Sequence, residues 1–163
     1  MMWKMKMKCV RKFYPFELEI CEEDGFITEI SFVSGKEETE PGTDLLKEAV
    51  KQLEGYFRKE RTDFDLPLAP AGSEFERKVW HALQKIPYGK ACSYQDIAEA
   101  VGNPKACRAV GGANHRNPIV IVIPCHRVIA KNRTLGGYGG GLDKKRLLLE
   151  LEGVRITDKG KCL

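Results

Sequence analysis

In the first third of the chain, apolar and β-branched residues recur in short runs separated by turn-forming residues. Phe16 to Cys21 and Phe26 to Val33 read as two strands. Asp24-Gly25 between them is a hairpin signal, because both turn positions require positive φ. An earlier strand from Met7 to Tyr14 is expected to pair with this hairpin, and Ser34 to Gly42 reads as polar loop. From Thr43 the period changes. Leu46, Ala49, Val50, Leu53 and Phe57 recur at helical spacing behind an N-cap threonine, with charges on the opposite face. No catalytic constellation is visible here, and the region reads as scaffold.

Asp65 to Gly72, with Pro67 and Pro70, reads as a linker, which divides the chain into an amino-terminal part (1–68) and a carboxy-terminal part (69–163). Ser73-Glu74-Phe75-Glu76 is a capping box that opens a helix to about Ile86, with Phe75, Val79, Leu83 and Ile86 turned inward. His81 on this helix reads as an ordinary surface or packed histidine. Ser93 caps the next helix, which runs through Val101 and ends at Gly102-Asn103. Pro104 suits the first turn of another helix reaching about Gly112. Helix, tight glycine-containing turn and helix make a helix-turn-helix pattern. The second helix carries Lys105 and Arg108 among Ala106, Ala109, Gly111, Gly112 and Ala113, small enough for close approach of nucleic acid or of another protein backbone. The fold class is α+β: a small amino-terminal antiparallel sheet with a helix, then a mainly helical, winged-helix-like domain.

Composition narrows the classes. The 163 residues are 42% hydrophobic and 31% charged, with a formal net charge of +4. No apolar run approaches the roughly 18 residues of a membrane span. Met1 to Lys8 lacks the apolar core of a signal peptide, so a cytoplasmic or nuclear protein without a membrane partner is expected. The mild positive charge is compatible with nucleic acid. The six cysteines, Cys9, Cys21, Cys92, Cys107, Cys125 and Cys162, form no Cys-x-x-Cys pair, so no metal site is expected. Most read as buried thiols, with a Cys9–Cys21 disulfide as an alternative.

The most informative stretch is Asn117 to Ile129. A β-branched run between Pro118 and Pro124 reads as a buried extended segment, and at its end Cys125 stands beside His126 and Arg127. Positive charge or a hydrogen-bonded histidine can lower a thiol's pKa and create a nucleophile. Neighbouring side chains on a strand point to opposite faces, so contact between Cys125 and His126 requires a sharp turn after Pro124 or a bridging water. An inert buried cysteine is the alternative. Leu135 to Gly141 is a glycine-dense loop with one aromatic, Tyr138, able to stack on a flat ring. Leu142 to about Glu152 reads as an apolar helix. A carboxylate at its end is disfavoured by the helix dipole and needs a partner, for which a buried histidine would serve.

Pro124-Cys125-His126-Arg127-Val128, with Arg108-Ala109-Val110-Gly111-Gly112-Ala113 and Asn117-Pro118, resembles the O6-alkylguanine-DNA alkyltransferases over roughly Ser73 to Val154. The resemblance implies a monomeric direct-reversal repair protein that needs no cofactor. It would move an alkyl group irreversibly from O6-alkylguanine, and from O4-alkylthymine, in duplex DNA onto Cys125. His126 would take the thiol proton through a water, with Glu152 orienting the imidazole, and Asn117 would brace the turn. Arg108 would fill the gap left by a flipped nucleotide, on a helix laid in the minor groove whose further contacts are Lys105, Ala109 and Gly112. Tyr94 would push the phosphate and hydrogen-bond the base or the leaving guanine. Tyr138, Val128, Gly139 and Val120 would form the base pocket. Gly139 stands where relatives usually carry Ser or Ala, and Val120 where some carry Pro. Two other classes are weighed beside this one: a non-catalytic sensor of alkylated DNA with the same fold, and a Cys-His hydrolase. Retention of Cys125, His126 and Glu152 together disfavours the sensor. Lack of a separated histidine and of an oxyanion-hole motif disfavours the hydrolase.

Overall fold

A computed structural model describes residues 6–138 and 141–163. Contacts divide the chain into two compact units: one holds the residues up to Ala71 together with Pro118–Val120, the other Gly72–Asn117 and Ile121–Leu163.

The first unit is a three-stranded antiparallel sheet in the order β1 (Lys6–Phe13), β2 (Phe16–Glu23), β3 (Phe26–Phe32), with helix α1 (Asp44–Phe57) packed on it. Asp24 and Gly25 turn the second hairpin at φ of 53° and 83°, as the Asp-Gly pair requires. Ile27 and Ile30 are both fully buried although three positions apart, which strict alternation forbids. A register shift at Cys21/Glu22 leaves Thr28 with no residue opposite it on β2 and returns both isoleucines to the core face. Thr43 caps α1 by accepting from the Leu46 N–H at 3.1 Å. The outer edge of β3 is covered by two other segments. Ile27 N–H donates to Pro67 O at 2.8 Å and Ile30 N–H to Pro118 O at 2.9 Å, which removes an open strand edge. Cys9 and Cys21 are both free thiols; Cys9 stands opposite Ile20 and Cys21 opposite Lys8.

The second unit is built from α2 (Glu74–Leu83), β4 (Cys92–Ser93), α3 (Tyr94–Ala100), α4 (Cys107–His115), β5 (Val128–Ile129) and α5 (Leu142–Leu151). The capping box at Ser73 and Glu76 forms as its spacing demands, and a second one joins Ser93 to Asp96. The α3–α4 pair is the helix-turn-helix, with one adjustment to the sequence expectation. Pro104 lies in the turn, where Ala106 N–H donates to Asn103 O at 3.0 Å, and α4 starts a turn later at Cys107. Gln95 competes for the intervening backbone by donating to Pro104 O at 3.0 Å. Short β4 and β5 pair in parallel, Cys92 with Val128 and Ser93 with Ile129.

The β-branched run departs further from expectation. Ile119 bridges Ile30 and Val120 N–H donates to Ile30 O, but at Ile121 the backbone turns to φ 73°. That conformation is costly for a β-branched residue and persists only where surrounding structure enforces it. The extended segment is therefore two residues of ladder followed by a turn.

Trp80 links α2 to α4. Its indole donates to Ala113 O at 2.8 Å, satisfying a carbonyl in the last turn of α4. A Cβ added to Gly72 would lie 2.4 Å from the Trp80 ring. Gly72→Ala is therefore expected to destabilise the protein by about 1–3 kcal/mol through overpacking, read as a lowered thermal midpoint. An unchanged midpoint would show that the ring yields without cost.

Candidate functional site

The chain enters the site through Pro124 and turns at once. Cys125–Arg127 forms a single 3-10 turn, closed by Arg127 N–H donating to Pro124 O at 3.0 Å. Side chains on such a turn are spread around its axis, unlike the opposed pair on a strand. This removes the geometric objection to adjacent Cys125 and His126 sharing one site. Two asparagines fix the turn from outside. Asn117 Nδ2 donates to Ile123 O at 2.8 Å, and Asn114 Nδ2 donates to Cys125 O at 3.3 Å.

Behind the turn is a buried polar cluster. Glu152, the residue that ends α5, is buried together with His126 and Arg127. The His126 Nε2–H donates to Glu152 Oε2 at 2.7 Å. Arg127 makes a fork, Nε to Oε1 at 2.8 Å and Nη2 to Oε2 at 3.0 Å, while Nη1 donates to Ile86 O at 2.7 Å. Burial alone would raise the Glu152 pKa; hydrogen bonds and charge from His126 and Arg127 outweigh it and hold the carboxyl at about 2. For His126 burial wins over the attraction of Glu152, so its pKa is lowered and the ring is neutral at pH 7. A carboxylate accepts only. The proton of neutral His126 therefore sits on Nε2, and Nδ1 carries the lone pair. That Nδ1 is buried and has no hydrogen-bond partner among the described residues.

Cys125 is 3% exposed. Its thiol is pushed up by burial, against the opposing pull of a hydrogen bond from Asn117, the Tyr138 hydroxyl and the Lys145 charge. Neighbouring positive charge thus fails to give a resting thiolate: desolvation dominates, and the sulfur is a neutral thiol 3.9 Å from the Tyr138 hydroxyl oxygen.

Lys145 and Arg127 went unassigned in the sequence. Lys145 lies on α5 and is fully buried. Its Nζ donates to Gly137 O at 3.1 Å and lies 5.9 Å from the ring centres of both Tyr94 and Tyr138. Burial lowers its pKa to about 8 despite the attraction of Cys125. Tyr94, first residue of α3, donates to the same Gly137 carbonyl at 3.4 Å. Gly136, at φ 71°, comes so close that a Cβ there would lie 3.1 Å from the Tyr94 hydroxyl. The signal for Lys145 was its place in the α5 register: Lys145, Leu148, Leu149 and Glu152 share the buried face.

The structure thus brings Cys125, His126, Glu152, Asn117, Tyr94 and Tyr138 together. Val128, fully buried, closes the turn by donating its N–H to Cys125 O. Val120 is engaged through its N–H with Ile30 in the first unit, and Gly139 lies outside the described residues. Arg108, Ala109 and Lys105 are exposed along the start of α4 and the turn before it, while Gly112 is half-buried on the helix. His81 is exposed on α2. Among the described residues no three His, Cys, Asp or Glu side chains are grouped to hold a metal ion, and no helix is long and apolar enough to cross a membrane.

This architecture has close counterparts. Residues 74–154 match the DNA binding domain of 6-O-methylguanine DNA methyltransferase, and residues 14–70 match its ribonuclease-like domain. A methylated-DNA–protein-cysteine methyltransferase of Methanosarcina acetivorans is 49% identical over 138 residues, 81% of this chain and 88% of the relative. The constitutive one of Bacillus subtilis is 47% identical over 153 residues, 88% of this chain and 93% of the relative. The O6-methylguanine methyltransferase of Mycobacterium tuberculosis superposes with a TM-score of 0.82 at 41% identity, covering 91% of this chain and 93% of that one. A structure of the same protein in complex with DNA gives 0.81 at 42% identity, with 88% and 90% covered. On these matches to both halves of the molecule, the chain belongs to the 6-O-methylguanine DNA methyltransferase family.

Proposed function

We propose that this chain repairs alkylated DNA by direct reversal, transferring the alkyl group from O6 of guanine, and from O4 of thymine, to Cys125 once per molecule. The observation that carries the reading is a neutral imidazole whose proton is locked on the Glu152 side and whose basic Nδ1 is buried without a partner among the described residues, on the residue that follows a buried neutral thiol in the chain. Through a bridging water, the Cys125 proton passes to Nδ1 as the sulfur attacks the alkyl carbon. The sulfur–carbon bond forms, the carbon–O6 bond breaks, and guanine leaves as its anion. The imidazolium so created is stabilised by the ionised Glu152. Arg127 holds that carboxylate in place and keeps it charged.

A thioether has no route back to a thiol, so turnover is single. Tyr94 acts on the flipped base and its phosphate, and Tyr138 with the backbone of Val128 walls the pocket. The Lys145 ammonium holds the Gly137 carbonyl that Tyr94 also uses and places positive charge where guanine departs. The target carbon is unreachable in a stacked duplex, so the nucleotide must be extruded. Arg108, with Lys105, Ala109 and Gly112, forms the helix face that enters the minor groove and fills the gap. The carboxy-terminal part, 69–163, does the chemistry and 1–68 is its scaffold. All the proposed groups belong to one chain, so a monomer suffices. An acceptor thiol must stay reduced, which suits the cytoplasm.

The direct test mixes equimolar protein with an oligonucleotide bearing O6-methylguanine and maps the product by mass spectrometry. One methyl on the Cys125 peptide is expected, and none with Cys125→Ser. Binding without transfer would make the chain a lesion sensor instead. In single-turnover assays His126→Gln and Glu152→Gln should each slow transfer by about 10²–10⁴-fold, the usual worth of a positioned base. Arg108→Ala should impair transfer from duplex far more than from free O6-benzylguanine; equal losses would remove its finger role.

The pH–rate profile follows from two shifts. His126 has a lowered pKa, so the base stays competent below the ordinary histidine range and is lost only as it protonates in acid. Lys145 loses its proton near pH 8, so the rate should fall above that pH. In Lys145→Met the alkaline fall should be absent and the rate low throughout. An alkaline fall that survives the substitution would assign it to another group.

A further inference from the structure

Arg116 is the C-cap residue of α4, and its side chain is 60% exposed. Helical Cα–Cβ bonds tilt towards the amino end, so a side chain here leans back over the residue four positions earlier. That residue is Gly112. The guanidinium lies so close that a Cβ on Gly112 would meet Nη1 at 3.1 Å and Nη2 at 3.3 Å. Its Nε donates to Glu76 Oε2 at 2.5 Å, while Glu76 Oε1 accepts from the Ser73 N–H at 2.9 Å in the capping box of α2. One carboxylate therefore caps α2 and orients a guanidinium at the far end of α4. Only Nε is used in that bond, and the four Nη protons remain to be offered. Arg108, Gly112 and Arg116 follow at intervals of four, so the guanidinium folded onto Gly112 joins the helix stripe on which exposed Arg108 stands.

We infer that Arg116 is a second contact of α4 to the nucleic-acid backbone, a guanidinium set in place by Glu76 to clasp a phosphodiester oxygen with its Nη edge. The inference rests on the proposed reading of α4 as the duplex-binding helix. An arginine held by one edge has lost much of its rotamer freedom before binding, so little more is lost when the phosphate is taken. The missing Cβ of Gly112 is what admits the guanidinium to the helix surface. Glu76 is a positioning residue, and its charge opposes the phosphate it helps to recruit.

The test is equilibrium binding of the full-length protein to an unmodified duplex over a series of salt concentrations, with thermal midpoints measured alongside. Absence of any salt-dependent binding by the wild-type protein would sink the duplex reading itself, whatever Arg116 does. With wild-type binding present, Arg116→Ala should lower the slope of log affinity against log salt by about 0.9, the share of one phosphate contact. Affinity at low salt should fall several-fold. Arg116→Lys should keep the slope. Glu76→Gln retains an acceptor but removes the opposing charge, so it should bind at least as tightly as wild type with at least its slope. Should Arg116→Ala fold poorly, Arg116→Gln carries the same expectation. An unchanged slope in Arg116→Ala or Arg116→Gln, or a slope lost equally in Glu76→Gln, would reduce the pair to a structural tie and overturn the assignment.

Discussion

The site depends on one buried carboxylate. Glu152 is a destabilising choice by every local rule: it ends a helix where the dipole opposes it, and it lies where water cannot solvate it. Arg127 resolves this with a two-point fork, and Oε2 also accepts from His126. Removing either partner would strand a buried charge, a loss that commonly reaches about 3–5 kcal/mol. The same bonds that make Glu152 tolerable dictate which imidazole nitrogen is basic. Stability and reactivity therefore rest on one set of hydrogen bonds.

The thiol adds a second constraint. A nucleophile held as a thiolate would react with any electrophile that reached it, whereas Cys125 is kept neutral by desolvation. Lys145 and Tyr138 lower the cost of ionisation without meeting it in full. The sulfur becomes strongly nucleophilic only as its proton leaves, which suits a protein that spends itself on each event.

Much of this was legible in the sequence, for reasons that differ by residue. Caps and turns are local devices, so Ser73 with Glu76, Thr43, Ser93 and Asp24-Gly25 announced themselves within four residues. Cys125 and His126 were legible as a pair because they are adjacent. Their shared geometry was not, since it depends on a turn enforced by Asn117 and on the left-handed backbone at Ile121. Lys145 was hidden because a lysine in a helix reads as solvated until its face is known to be buried. The bulge at Thr28 was equally silent: Ile27 and Ile30 break alternation, but only the partner strand shows which register absorbs the extra residue.

Gly136 carries a consequence for anyone wishing to reshape the loop beside Tyr94. Its left-handed backbone and its distance from the Tyr94 hydroxyl tie a loop position to a helix-capped aromatic more than forty residues away. Diversifying that loop would begin by displacing the phenol at Gly136, whereas Gly137, which has open space around its α-carbon, offers a gentler point of entry. The two adjacent glycines are thus unequal as engineering handles, and the choice between them decides whether Tyr94 keeps its place.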